Sequence, residues 1–204
     1  EQKADLIRLE NTGSNTHSGQ IQGAISVSGK FEGIPNNITS AFGPVGNNVY
    51  LMKDKSVWTF DIKTSKTTVY DQPVAQTFTG VPASVTKCFG PYVHQNKSLL
   101  YFFDSDGSTV WIHDTNKSTV PPSSTTMEKD FPYVPPNPDA VCGPHTKSGE
   151  TFVWFFKGST CYVFSLTKKE ILHADKIDKV FPGLPTGPDA AFGPVNGNEL
   201  YVYK

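Results

Sequence analysis

Apolar and polar residues alternate along this chain in short runs with a period of two, the spacing of strands with one face buried. Ser56 to Asp61, Ser108 to His113 and Thr160 to Ser165 carry that pattern around Val57-Trp58-Thr59-Phe60, Val110-Trp111-Ile112-His113 and Cys161-Tyr162-Val163-Phe164. Each follows a run that is aromatic and β-branched on both faces: Asn48 to Lys53, Ser98 to Asp104 and Thr151 to Lys157, with Asn198 to Lys204 as a fourth. Such runs predict strands covered on two sides. The joining turns, Asp54-Lys55, Asp106-Gly107 and Lys157-Gly158, supply the Asp and Gly that hairpins need. Ahead of each pair lies a short, small, apolar strand: Ile38 to Phe42, Val85 to Phe89, Asp139 to Cys142 and Asp189 to Phe192. Each is expected to halt at the Gly-Pro that follows, since proline cannot donate to a central ladder. Polar fourth strands are predicted near Lys66–Tyr70, Ser118–Val120 and Glu170–Ala174, as suits a solvated edge.

These strands keep time with two further markers. A Phe-x-x-hydrophobic-Pro phrase begins at Phe31, Phe78, Phe131 and Phe181, at intervals of 47, 53 and 50 residues. Gly43-Pro44, Gly90-Pro91, Gly143-Pro144 and Gly193-Pro194 repeat at the same intervals. A period near 50 residues marks tandem units of propeller-blade size. The last repeat ends after its second strand. Ala4 to Leu9 has third-strand alternation and Gln20 to Ser26 can follow as the fourth, so the termini are expected to share a blade. The prediction is an all-β, four-bladed β-propeller in one domain, residues 1–204. Its blades span about 31–77, 78–130, 131–180, and 181–204 plus 1–30.

Composition narrows the function classes. Lys plus Arg number 18 and Asp plus Glu 19, a net charge of −1, which gives no case for nucleic acid or an anionic membrane. Arg8 is the only arginine, so forked recognition of phosphate is not expected. The longest apolar run, Phe152 to Phe156, is too short to span a bilayer. Cys88, Cys142 and Cys161 are too few for a disulfide scaffold. Cys88 and Cys142 stand at neighbouring registers of adjacent blades, so a bridge between them is weighed against buried thiols. A start at Glu1 without methionine, and sequons at Asn37, Asn96 and Asn116, tilt the expectation toward an extracellular protein.

Phe181-Pro182-Gly183-Leu184-Pro185-Thr186-Gly187-Pro188-Asp189-Ala190-Ala191-Phe192, followed by Asn198 to Lys204, resembles the hemopexin repeat, and Pro138-Asp139-Ala140-Val141 with Phe152 to Gly158 is a second close match. The resemblance extends over all four repeats and implies a propeller whose relatives mostly bind ligands. It further implies a central channel in which main-chain carbonyls hold calcium or sodium. The matching positions are Thr39, Thr86, Asp139 and Asp189, two of which lack the carboxylate. Further down the channel, the amides of Ala41, Cys88, Val141 and Ala191 match a position that can hold an anion. A structural ion is favoured over an ion-regulated activity.

Other residues are weighed against plain structural roles. His94 and His145 fall in corresponding loops of neighbouring blades, where two histidines facing each other would suit haem or a transition metal. His113 and His173 are expected to be structural. Trp58, Trp111 and Tyr162 occupy equivalent third-strand positions, which points to packing between blades rather than sugar stacking. Asp104 and Asp106 are explained by a hairpin. No Gly-x-Ser-x-Gly, His-Glu-x-x-His, Cys-x-x-Cys or phosphate loop occurs, and no enzyme activity is expected.

Two functions follow. One is a non-enzymatic binder of a small ligand at the channel mouth, where Asn36, Asn37, Ser84, Asn137 and Pro188 stand above Asp139 and Asp189; two carboxylates in a funnel favour a cation such as a polyamine or metal, and haem is an alternative partner. The other is a secreted recognition module, lectin-like or binding protein or matrix, which gains avidity from repeated weak sites. Either a monomer or a homodimer suits both.

Overall fold

The computed structural model describes residues 2–10 and 17–204. Among these described residues, sixteen strands form four antiparallel sheets of four. The first sheet holds β3 (Ser40–Val45), β4 (Asn48–Lys53), β5 (Ser56–Asp61) and β6 (Lys66–Pro73), and the second β7 (Val85–His94), β8 (Lys97–Asp104), β9 (Thr109–Asp114) and β10 (Ser123–Thr126). The third runs β11 (Ala140–Lys147), β12 (Glu150–Lys157), β13 (Thr160–Ser165), β14 (Glu170–Lys176). In the fourth, β15 (Ala190–Val195) and β16 (Glu199–Tyr203) continue into β1 (Lys3–Leu9) and β2 (Gly19–Ser26). Ala4 pairs with Tyr203 and Leu6 with Tyr201, so the two termini complete one blade and close the ring as the sequence predicts. No helix among the described residues is long and apolar enough to cross a membrane.

The core is divided among four wedges, each between two adjacent blades. The repeated Phe is the anchor of each: Phe31, Phe78, Phe131 and Phe181 are at most 3% exposed and each belongs to a different wedge. A one-turn helix precedes every one of them, α1 (Val27–Lys30), α2 (Val74–Thr77), α3 (Met127–Asp130) and α4 (Ile177–Val180). The Phe amide closes that turn, donating to the carbonyl of Val27, Val74, Met127 or Ile177 at 2.8 Å in all four cases. Those four residues are buried in the same wedge as their Phe, together with Ile34, Val81, Val134 or Leu184 from the phrase itself. Every repeat thus drives three apolar side chains between blades, and burying each such side chain stabilises by roughly 1.5–3 kcal/mol. The helical turns escaped the sequence reading because one turn is too short to show a 3.6 period.

Two strand expectations are corrected. The innermost strands do not halt at Gly-Pro: the ladder passes from Phe42↔Tyr50 to Val45↔Asn48, and likewise in the other blades. The four Gly–Pro peptides are cis and sit inside a bulge, where no ladder bond is required of the proline. In the second blade the outer strand is Ser123–Thr126 rather than 118–120, because Thr115–Lys117 first forms a 3-10 turn capped by Asp114.

Candidate functional site

The innermost strands β3, β7, β11 and β15 surround the axis, and the residues just before them form the channel mouth. There a funnel of about 310 Å³ is lined by Asn37, Thr39, Lys87, Asp139, Pro188 and Asp189 among others. Of the mouth residues expected from sequence, Asn37 and Pro188 belong to this lining, whereas Asn36, Ser84 and Asn137 lie off it. Asn37 and Asn137 have positive φ (65° and 52°), as does Gly187 (58°) at the same place in the fourth repeat. Asn tolerates the left-handed region, so the turn itself accounts for those two asparagines.

In three of the blades a residue at the end of the second strand pins the segment at the mouth. Lys157 Nζ donates to the carbonyl of Asn137 at 2.7 Å and Lys204 Nζ to that of Gly187 at 2.8 Å. In the second blade Asp104 stands at the matching position and accepts from the Ser84 hydroxyl at 2.8 Å. The carboxylates below are held as well: Asp139 Oδ2 accepts from the Gly158 amide at 2.6 Å and Asp189 Oδ2 from Gln2 Nε2 at 3.2 Å.

At the four carbonyl positions the structure introduces a residue to which sequence analysis gave no role. Lys87 Nζ donates to the carbonyl oxygen of Thr39, in the first blade, and to that of Asp189, in the fourth, the latter at 2.8 Å. Burial pulls the Lys87 amine down to about 8, against the opposing pull of the Asp189 and Asp139 carboxylates. Thr86, just before it, is the extra residue of a bulge, since Val85 faces Asp104 and Lys87 faces Phe103. A calcium or sodium ion on this ring of carbonyls does not fit beside the ammonium, which already takes two of the four and would repel it at short range.

Of the amides expected to hold an anion, those of Ala41, Val141 and Ala191 lie on the buried inner strands. The Cys88 amide donates to the buried hydroxyl of Ser40 at 3.1 Å, a link between the first and second blades.

Each of the two loop histidines packs on aromatic rings of its own blade. His94 is exposed and stacks on Tyr92, with centroids 5.1 Å apart, while His145 lies over Trp154 and edge-on to Phe152. His145 shares Phe152 with His17 instead, and His17 Nδ1 lies 3.0 Å from His173 Nε2. Burial first, then the neighbouring His173, lowers His17 to about 4, so this ring is neutral near pH 7. His113 is buried against Phe78. Trp58, Trp111 and Tyr162 pack against three different wedges, as their equivalent placement predicts. The three cysteines are buried and unbridged. A second cleft, of about 430 Å³, opens between the first and fourth blades, with Asn47, Lys63, Asn196 and Glu199 around the aromatic walls of Phe31 and Tyr201.

No protein-family model and no curated protein matches this chain. Solved structures do. The hemopexin-fold protein CP4 from cow pea aligns with a TM-score of 0.65 at 21% identity, over 83% of each chain. A plant lectin with two metal-binding sites from Cicer arietinum aligns at 0.67 and 18% identity over 82% of each chain. A plant albumin showing hemagglutination, also from Cicer arietinum, aligns at 0.67 and 19% identity over 82% of each chain. Four blades, a shared terminal blade and this set of neighbours together give one conclusion: the chain has the hemopexin fold, a closed four-bladed β-propeller.

Proposed function

We propose that this protein is a non-enzymatic binding module whose ligand is a small polar molecule seated in the channel mouth. The observation that carries this reading is the meeting of the Asp139 and Asp189 carboxylates, the Lys87 ammonium and Asn37 in one funnel. Charges of both signs there supply strong acceptors and a strong donor within a narrow space. Lys87 offsets much of the negative field that the two carboxylates alone would present, so a zwitterionic or polyhydroxylated ligand suits the mouth better than a polyamine or free metal. His94 and His145 each stack on an aromatic ring of their own blade, which favours a ligand at the channel mouth over haem between them.

The test is a calorimetric and thermal-shift screen of amino acids, monosaccharides, spermine and calcium against the wild type and Asp139→Asn/Asp189→Asn. The reading expects a zwitterion or sugar to bind and the double variant to weaken it at least about tenfold. A ligand that binds both proteins equally would move the site away from the mouth.

A lectin-like reading is the alternative. It draws on the hemagglutination named for one structural neighbour and on the polar-rimmed aromatic cleft between the first and fourth blades. A glycan array on the wild type and on Asn47→Ala/Asn196→Ala separates the two readings, since only cleft binding responds to that pair.

A further inference from the structure

Three blades place a small residue on the inner strand three positions before the Gly of Gly-Pro: Ser40, Ala140 and Ala190, exposed by 2%, 1% and 0%. Small size is required there because four strands converge on one axis. The second blade places Lys87 at the matching position, counted back from its Gly-Pro. Lys87 is half-buried there, and a lysine at a crowded inner position is favoured only if its ammonium finds acceptors, because a partly desolvated charge without partners is costly. It finds them across the channel. From the second blade Nζ reaches the Thr39 carbonyl in the first and the Asp189 carbonyl in the fourth, and the Asp139 side chain of the third adds its charge. One side chain therefore touches or attracts groups from every other blade.

We propose that the Lys87 ammonium is the axial cation of this propeller, a charge tethered to the chain at carbonyls that would otherwise take a free ion. It follows that the fold needs no metal, and that shortening Lys87 creates a site for a free cation, either calcium or a primary alkylammonium that restores the missing head group. This inference is independent of which ligand enters the mouth.

The experiment compares full-length wild type, Lys87→Ala and Lys87→Met after exhaustive dialysis against a chelator. Tm is then recorded with calcium chloride, ethylammonium chloride or tetramethylammonium chloride at equal ionic strength. The wild type is expected to show the same Tm in all three, and metal analysis of it should find no bound equivalent. Lys87→Ala should gain about 3 °C or more with calcium or ethylammonium but not with tetramethylammonium, which has no N–H to donate. Lys87→Met fills the channel with an uncharged chain and should respond to none. A stoichiometric ion in the wild type, or a calcium response as large in the wild type as in Lys87→Ala, overturns the proposal. So does a Lys87→Ala protein that ignores every cation. If Lys87→Ala does not fold, metal analysis of the wild type and the unresponsiveness of Lys87→Met still decide the question.

Discussion

The side-chain amide of Gln2 is bonded at both ends to the peptide groups of Ile38: its Oε1 accepts from the Ile38 N–H at 2.7 Å and its Nε2 donates to the Ile38 carbonyl at 2.9 Å. Both residues are buried, and the pair joins the N-terminal end of the fourth blade to the entrance of the first. Gln2→Ala leaves a peptide donor and acceptor in the interior without partners, each costing about 1–3 kcal/mol. The expected loss is about 2–4 kcal/mol in urea unfolding, with an unchanged m-value. Gln2→Glu should be no milder. It keeps the acceptor for Ile38 N–H but loses the donor and sets a second carboxylate where Gln2 now donates to Asp189.

Removing residues 1–10 should do more damage than any single change in them. Ala4 and Ile7 are completely buried, and β1 covers the edge of β16, including Tyr201 and Tyr203. An uncovered aromatic edge is a template for pairing between chains. The truncated protein is expected to melt at lower temperature and to associate. A monomeric truncation of equal Tm, by calorimetry with light scattering, would contradict the closed ring.

Lys87 gives the pH dependence a defined sign. Its folded value, lowered to about 8 by burial, lies below the ordinary value of 10.5, with Asp189 and Asp139 the charged groups facing it. Below pH 8 both states hold the proton. Between about 8 and 10.5 the unfolded chain keeps it while the folded protein releases it, so this group makes stability rise with pH. The buried thiols act in the opposite direction, because burial raises them and the unfolded chain ionises first. The Lys87 contribution is therefore read as the difference between wild type and Lys87→Met, which should grow from pH 8 to 10. A flat difference would mean that the amine is not buried.

The cysteines should be silent to a thiol reagent in the native state. Cys88, Cys142 and Cys161 are at most 1% exposed, and desolvation disfavours the thiolate in each. No thiol is expected to react at pH 8 without denaturant and three in guanidinium. One fast native thiol would contradict this packing.

The fold was legible because its markers have direct physical jobs. Phe31, Phe78, Phe131 and Phe181 repeat in sequence because each fills an equivalent wedge, and the terminal strands completed the count of four blades. The site was only half legible. The resemblance to the hemopexin repeat pointed to Thr39, Thr86, Asp139 and Asp189, yet the group that meets two of them came from Lys87, one residue past Thr86. The signal was present: a lysine where the other repeats carry Ser or Ala. Its meaning depends on reach across the axis, which spacing along one strand does not encode. The contact of His17 with His173 was hidden for the same reason, as 156 residues separate them.

The most direct measurement of the axial arrangement is a crystal structure of the wild type grown in calcium, with anomalous data collected at long wavelength. Continuous density from Lys87 to the carbonyls of Thr39 and Asp189, with no anomalous peak on the axis, is the predicted result. An anomalous peak among the carbonyls of Thr39, Thr86, Asp139 and Asp189, with the Lys87 side chain turned away, would contradict it.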